Sequence, residues 1–357
     1  MSLHPLAPEL TALNDLDAAW STDGAGPRLR AVRAAGERLR ERMSSSARVV
    51  AVRTLPLSTL LYPTKSAFWG AARTPAPYVV MTHRCLLVQF LQRGELRHLL
   101  WNPTDVIAAR QTPYFRYIVD TFGEFLSYEV FTRRFDTLET QLAGLGLSVE
   151  QIDYLAFDHF HTQDLRTLLG TSDGRLAPRF PRARLLAPAS EWAAWDDLHP
   201  AQQGWFVASG KRGVRLEQVV LTSRDLELGD GVWILRTPGH TVGNQTLFVH
   251  ADSGLWGSSE NGTSADSYSP FDSPIPGLRS ACRQQQVDLV VNANTPESLA
   301  DQYTSMVLER TLVDRVKNAP AFVQMFPSSE VTPSVLAPGI RPAMVHGALT
   351  SGVVARG

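Results

Sequence analysis

The chain has 357 residues, enough for one large domain or two ordinary ones, and 44% of them are apolar, so a sizeable core can be buried. With 34 basic against 35 acidic residues the formal net charge is −1. That balance excludes a global field drawing the protein to nucleic acid, an anionic membrane or acidic substrates, and leaves a small molecule recognised locally as the expected partner.

Cys85 and Cys282 stand in no CxxC or Cys/His spacing, so neither a disulfide framework nor a thiolate zinc site is indicated. The N-terminus carries acidic residues and no apolar core, and no stretch approaches the about 18 apolar residues of a membrane span. A cytoplasmic protein, with a homo-oligomer left open, is the expectation.

Along the chain, Leu29, Val32, Ala35, Leu39 and Met43 recur at helical spacing behind Pro27 and predict a packed amphipathic helix. Residues 1–47 are therefore expected to be an N-terminal helical extension, and 48–357 the main domain, with a core of about 78–294 and a helix and tail over 295–357. Strands are predicted at Arg48 to Leu55 and Pro77 to Phe90, the second turning at Arg93-Gly94-Glu95 into Leu96 to Asn102 as a hairpin. Thr137 to Gly146 predicts a helix ending in glycine, and Tyr154 to Asp158 a short apolar strand running into His159 and His161. Further on come a helix from Asp164 to Leu169, a strand at Arg182 to Ala187, a helix at Ala189 to Trp195, and strands at Gly231 to Arg236 and Thr246 to Val249. A strand at Val287 to Asn292 and a helix from Leu299 to Val316 complete the set. Strands and helices alternating around meanders suggest a layered α/β sandwich.

The segment Phe157-Asp-His-Phe-His sets two histidines two residues apart after a strand, where extended backbone turns both rings to one side. Far downstream, Thr237-Pro-Gly-His-Thr places His240 in a tight loop between two strands, with Pro and Gly fixing the turn. Three neutral imidazoles with an open position suit a catalytic zinc ion.

With these motifs, and with the Leu138-Glu-Thr-Gln-Leu-Ala-Gly-Leu-Gly-Leu-Ser-Val-Glu-Gln-Ile-Asp-Tyr-Leu lead-in before them, the chain resembles the metallo-β-lactamase superfamily over roughly Tyr78 to Asn294. The resemblance implies an α/β chain with the αββα sandwich of that family and a metal held by His159, His161 and His240. It also exposes departures. Gln163 and Asp164 stand where the family has Asp and His for a second metal, Gly257-Ser-Ser-Glu-Asn-Gly stands where a bridging Asp is usual, and Asn292-Ala-Asn294 replaces the last histidine. One ion, zinc with iron or manganese as alternatives, is thus expected rather than two.

Glu260 is the carboxylate nearest the missing bridging position and a candidate ligand. Asp164 is a candidate ligand or catalytic general base, or else a first-turn carboxylate of the helix it begins. Gln163 suits orienting a water or a histidine. His346 is a candidate for the pocket wall, while His83 reads as a sheet-face histidine and His4, His98, His199 and His250 have no partner pattern. Tyr114, Phe115 and Tyr117, on an insertion over about Asp105 to Phe135, are candidates to roof a pocket or simply to pack.

No dinucleotide or phosphate-binding glycine motif, HExxH or nucleophile elbow competes with the histidines. The expected function is metal-dependent hydrolysis of an ester, lactone, thioester or amide-type bond. Two alternatives remain: a mononuclear iron oxygenase of the same fold using His159, His240 and Glu260, and a non-catalytic family member that binds without turnover.

Overall fold

The computed structural model describes residues 9–295 and 298–356. His4 lies outside the described residues. Two sheets form the centre. The first runs in the order Thr350–Gly352, Ala51–Pro63, Tyr78–Gln92, Glu95–Trp101, Tyr154–Ala156, Arg184–Pro188 and Val219–Thr222, and Ser329–Thr332 also pairs with Tyr78–Gln92. The second runs Thr11–Leu13, Asp225–Gly229, Val232–Arg236, Gln245–Ala251, Gly254–Ser259 and Met325–Pro327.

Period-two alternation decides which layer each side chain joins. In the strand Tyr78–Gln92, Leu86, Val88 and Phe90 point inward and meet Val232, Ile234, Leu247 and Val249 of the other sheet. Cys85 and Leu87, one residue out of phase, face outward into a cluster with Leu138, Leu142, Leu165 and Leu168 from the helices on that side. On the far side, Trp233, Leu235, Phe248 and Leu255 are covered by Val32, Leu39, Met306 and Leu312 from the helices Ala25–Ser44 and Leu299–Leu312. The result is a four-layer αββα sandwich, as the resemblance implied.

The helix Ala25–Ser44 is thus part of the outer layer, and Thr11–Leu13 supplies the edge strand of the second sheet by pairing with Asp225–Gly229. The hairpin turn forms at Arg93 and Gly94, both at positive φ. One expectation fails. Val287 to Asn292 is not a strand: Leu289, Val290 and Val291 are buried, but the segment hydrogen-bonds irregularly, through the Val290 amide to the Ser267 carbonyl and the Asn292 amide to the Asn261 carbonyl. Burial alone explains its apolar run.

The predicted final helix stops at Leu312, and Arg315–Val316 is a short strand. Three strands that the sequence did not announce follow at Ala319–Val323, Met325–Pro327 and Ser329–Thr332. The last two belong to different sheets, so the chain crosses between them at Ser328. Both cysteines are buried and free, and among the described residues no helix is long and apolar enough to cross a membrane.

Candidate metal centre

Tyr154–Ala156 runs parallel between Glu95–Trp101 and Arg184–Pro188, and the chain leaves the sheet at its carboxyl end. There Phe157 and Phe160 stay in the outer core, Phe160 stacking 5.3 Å from Trp195, while the residues between and after them are carried to the other side. The Asp158 amide donates to Asn102 Oδ1 at 3.0 Å, which fixes the exit, and Thr162 at φ 65 turns the chain back.

His240 arrives on the loop between Val232–Arg236 and Gln245–Ala251. Gly239 has φ 138 and lies so close to the backbone of Gln302 that a Cβ would overlap it, so this position requires glycine. The Ser305 hydroxyl donates to the Pro238 carbonyl at 2.7 Å and the Thr295 hydroxyl to the His240 carbonyl at 2.6 Å. The helix Leu299–Leu312 thereby holds the loop from below.

The three rings converge. Ring centroids of His159, His161 and His240 are 4.6, 4.6 and 5.0 Å apart, and one nitrogen from each lies within 4.8 Å of the others. All three side chains are buried. His159 Nδ1 donates to Asp158 Oδ1 at 2.8 Å, and His161 Nε2 donates to Gln202 Oε1 at 2.6 Å. These bonds leave Nε2 of the first ring and Nδ1 of the second for another partner, while His240 Nδ1 is buried with no hydrogen-bond partner.

Burial and the neighbouring His159 charge hold His161 and His240 well below the ordinary histidine value, so both rings are neutral. Burial opposes a charge on His159 as well, but the Asp158 carboxylate outweighs it and raises that ring above the ordinary value. A cation at Nε2 would stand where that proton's charge is stabilised. Three converging imidazoles, each with a free nitrogen and two of them fixed from behind, fit a divalent ion that takes nitrogen ligands.

Glu191 ties the two histidine loops together. Its buried carboxylate accepts from the Phe160 amide at 2.6 Å and from the Thr241 hydroxyl at 2.5 Å, and burial pushes it up to about 7.

Not every candidate joins the trio. Glu260 lines the same cavity, but its carboxylate lies outside the group of nitrogens within 4.8 Å, and its Oε2 accepts from the Ser329 amide at 2.8 Å. Burial, reinforced by Asp158, pushes Glu260 up to about 8. Asp164 is not brought to the site. Its Oδ1 accepts from the Arg166 amide at 3.1 Å and Nε at 2.8 Å, and its Oδ2 from the same guanidinium at 2.5 Å, so it serves the first turn of Arg166–Leu169 instead of a cation.

His346 is likewise absent from the cavity wall, because its Nδ1 and amide both donate to the buried Glu330 and its ring packs against Trp256 and Phe326. His83 does line the cavity, bonded to Ser329 Oγ through Nδ1 and to Thr104 Oγ1 through Nε2. Gln163 Nε2 donates to the same threonine hydroxyl and to the His161 carbonyl. Tyr114 and Phe115 reach the cavity, Tyr114 stacking 4.6 Å from Trp205, whereas Tyr117 is 57% exposed and does not.

Sequence reasoning missed Asp158, Glu191 and Gln202 as supports. A carboxylate immediately before a strand-end histidine, and a glutamate inside the apolar run Leu-Leu-Ala-Pro-Ala-Ser-Glu-Trp, were signals available for the first two. Gln202 gave none.

A solved structure of a probable metal-dependent hydrolase from Staphylococcus aureus superposes with a TM-score of 0.51 at 12% identity, over 72% of this chain and 84% of that one. The chain has the metallo-β-lactamase fold. The AiiA protein of B. thuringiensis, solved with N-decanoyl-L-homoserine in its active site, gives a TM-score of 0.45 at 17% identity over 68% of this chain and 92% of that one. AidC, a dizinc quorum-quenching lactonase, gives 0.44 at 13% identity over 68% and 84%. No protein-family model and no curated protein sequence matches the chain. Within the metallo-β-lactamase fold, the three histidines occupy the carboxyl-end rim of the sandwich, where the loops of both sheets meet.

Proposed function

We propose that the protein is a metal-dependent hydrolase holding one ion, zinc by preference, on His159, His161 and His240, and acting on an ester, lactone, thioester or amide-type bond. The observation that carries this reading is the convergence of three buried imidazole nitrogens within 4.8 Å in the wall of a cleft also lined by Tyr62, Tyr114, Phe115 and Trp205. An aromatic-lined cleft with a few converging polar groups suits a small molecule. The probable metal-dependent hydrolase of the same fold gives the reading its precedent.

When bound, such an ion supplies Lewis acidity, polarising an acyl oxygen and activating water near neutral pH. The chain's own residues do the rest. Asp158 fixes the His159 ring through Nδ1, Gln202 fixes His161 through Nε2, and Glu191 keeps the two loops at a constant separation. Tyr114 and Trp205, stacked beside His161, narrow the approach and exclude water from one side. Phosphodiester cleavage is disfavoured because displacement at phosphorus benefits most from paired metals. Turnover of a panel of aryl esters, lactones and thioesters, abolished by chelation and restored by zinc, supports the reading; a panel untouched in the presence of zinc, manganese or iron refutes it.

A further inference from the structure

The cavity carries a second chemical pole that metal binding does not use. Arg110 and Arg134, both from the insertion ahead of the first histidines, line it together with Leu60, Met81, Tyr114 and Phe115. The Arg110 guanidinium lies 3.6 Å over the ring of Tyr128, which fixes its plane, and its Nη2 is buried without a hydrogen-bond partner. Among the described residues neither arginine has a carboxylate within ion-pair distance. A half-buried guanidinium with an unpartnered donor, as at Arg110, has a strong call for an anion, because an unmade bond to a charged group is costly, and the exposed Arg134 adds a second positive charge to the same cavity.

The spacing sets the reach of that anion. Arg134 bridges to Ser58, and Ser58 stands opposite His83, so three segments lie abreast and span roughly 10 Å. His83 in turn connects through Thr104 and Gln163 to His161. Leu60, Met81, Tyr114 and Phe115 supply apolar and aromatic surface in the cavity that holds both the arginines and the histidines. The cavity carboxylates, Asp158 and Glu260, are at the histidine end. They oppose a dense dianion such as a phosphate and tolerate a single negative charge held at the other wall.

We propose that the cavity takes an amphiphilic carboxylate, its aromatic or alkyl body against Tyr114, Phe115, Leu60 and Met81 and its anion received by Arg110 with help from Arg134. As the substrate class of the site, this rests on the hydrolase reading above; as a binding assignment it stands on the arginines alone.

Titration calorimetry of the full-length protein, as purified, with 4-phenylbutyrate and with its neutral isostere 4-phenylbutanamide tests it. The carboxylate is expected to bind at least about tenfold more tightly, the worth of a charge-assisted hydrogen bond, and that preference is expected to vanish in Arg110→Met. In Arg134→Met, an exposed position whose substitution spares the fold, it is expected to shrink by several-fold. Equal affinity, no binding of either compound, or a preference that survives in both variants overturns the assignment. An arginine-dependent preference in a protein that turns over no ester removes the hydrolase reading and leaves the anion site standing; turnover without the preference does the reverse.

Discussion

Asp158 Oδ1 lies 2.8 Å from Nδ1 of His159 and also accepts from the His159 amide, so one carboxylate fixes both the ring and the backbone of a candidate ligand. Its other oxygen takes the Ser328 hydroxyl at 2.5 Å. Asp158→Asn weakens that hold by exchanging a charged acceptor for a neutral one. The expected result is a metal affinity lower by about 10- to 100-fold with the circular dichroism spectrum unchanged, measured by competition with a chromophoric chelator. An affinity equal to wild type would show that Asp158 does not orient the ligand.

Glu191 is the brace between the two histidine loops. Glu191→Ala leaves the Phe160 amide and the Thr241 hydroxyl unpaired in a dry setting, and about 2–4 kcal/mol of stability should go with it. Glu191→Gln keeps one acceptor and should lose less. Urea unfolding of the three proteins measures the order; a Gln variant as unstable as the Ala variant contradicts the hydrogen-bonding role.

Gly239→Ala places a methyl group on the backbone of Gln302 at a φ that residues with a Cβ rarely adopt. The loop must move, carrying His240 with it. Metal stoichiometry is expected to fall in this variant more than thermal stability does, and a variant that binds metal as wild type would show that the loop tolerates the shift.

Glu330 accepts from the His346 amide and Nδ1 and pairs with the buried Arg84 at 2.7 Å. Burial opposes its charge, but His346 and Arg84 prevail and hold it below the usual glutamate value. The folded state therefore releases this proton more readily than the unfolded chain. Its stabilisation is complete above the unfolded value of about 4.3 and is lost as pH falls through the lower folded value. Glu330→Gln, which strands the Arg84 charge, should cost about 3–5 kcal/mol at neutral pH. The gap in melting temperature between wild type and variant should narrow on acidification from about pH 7 to about pH 3; a gap independent of pH would refute the linkage.

Much of the fold was legible because alternation and helical spacing are local. Val32, Leu39 and Met43 announced their helix, and the apolar run up to Phe90 announced the longest strand, though which of its residues face inward came only from the fold. The histidines were legible for the same reason: His-x-His at a strand end and Pro-Gly-His in a tight loop are short-range patterns. What escaped was set by distant contacts. Asp164 looked the same in sequence whether it faced a cation or Arg166, and only the fold chose. Ser328 and Ser329 reach the site because the chain crosses there from one sheet to the other, a path no local pattern encodes. His346 was a candidate for the pocket wall and is committed to Glu330 from 16 positions away.

The central claim, that His159, His161 and His240 hold an ion, is tested most directly by elemental analysis of the untreated full-length protein beside His240→Ala. About one equivalent of a divalent transition metal in the wild type, lost in the folded variant, is the expected outcome. Less than about a tenth of an equivalent in the wild type, with no uptake of zinc, iron or manganese on titration, would contradict it.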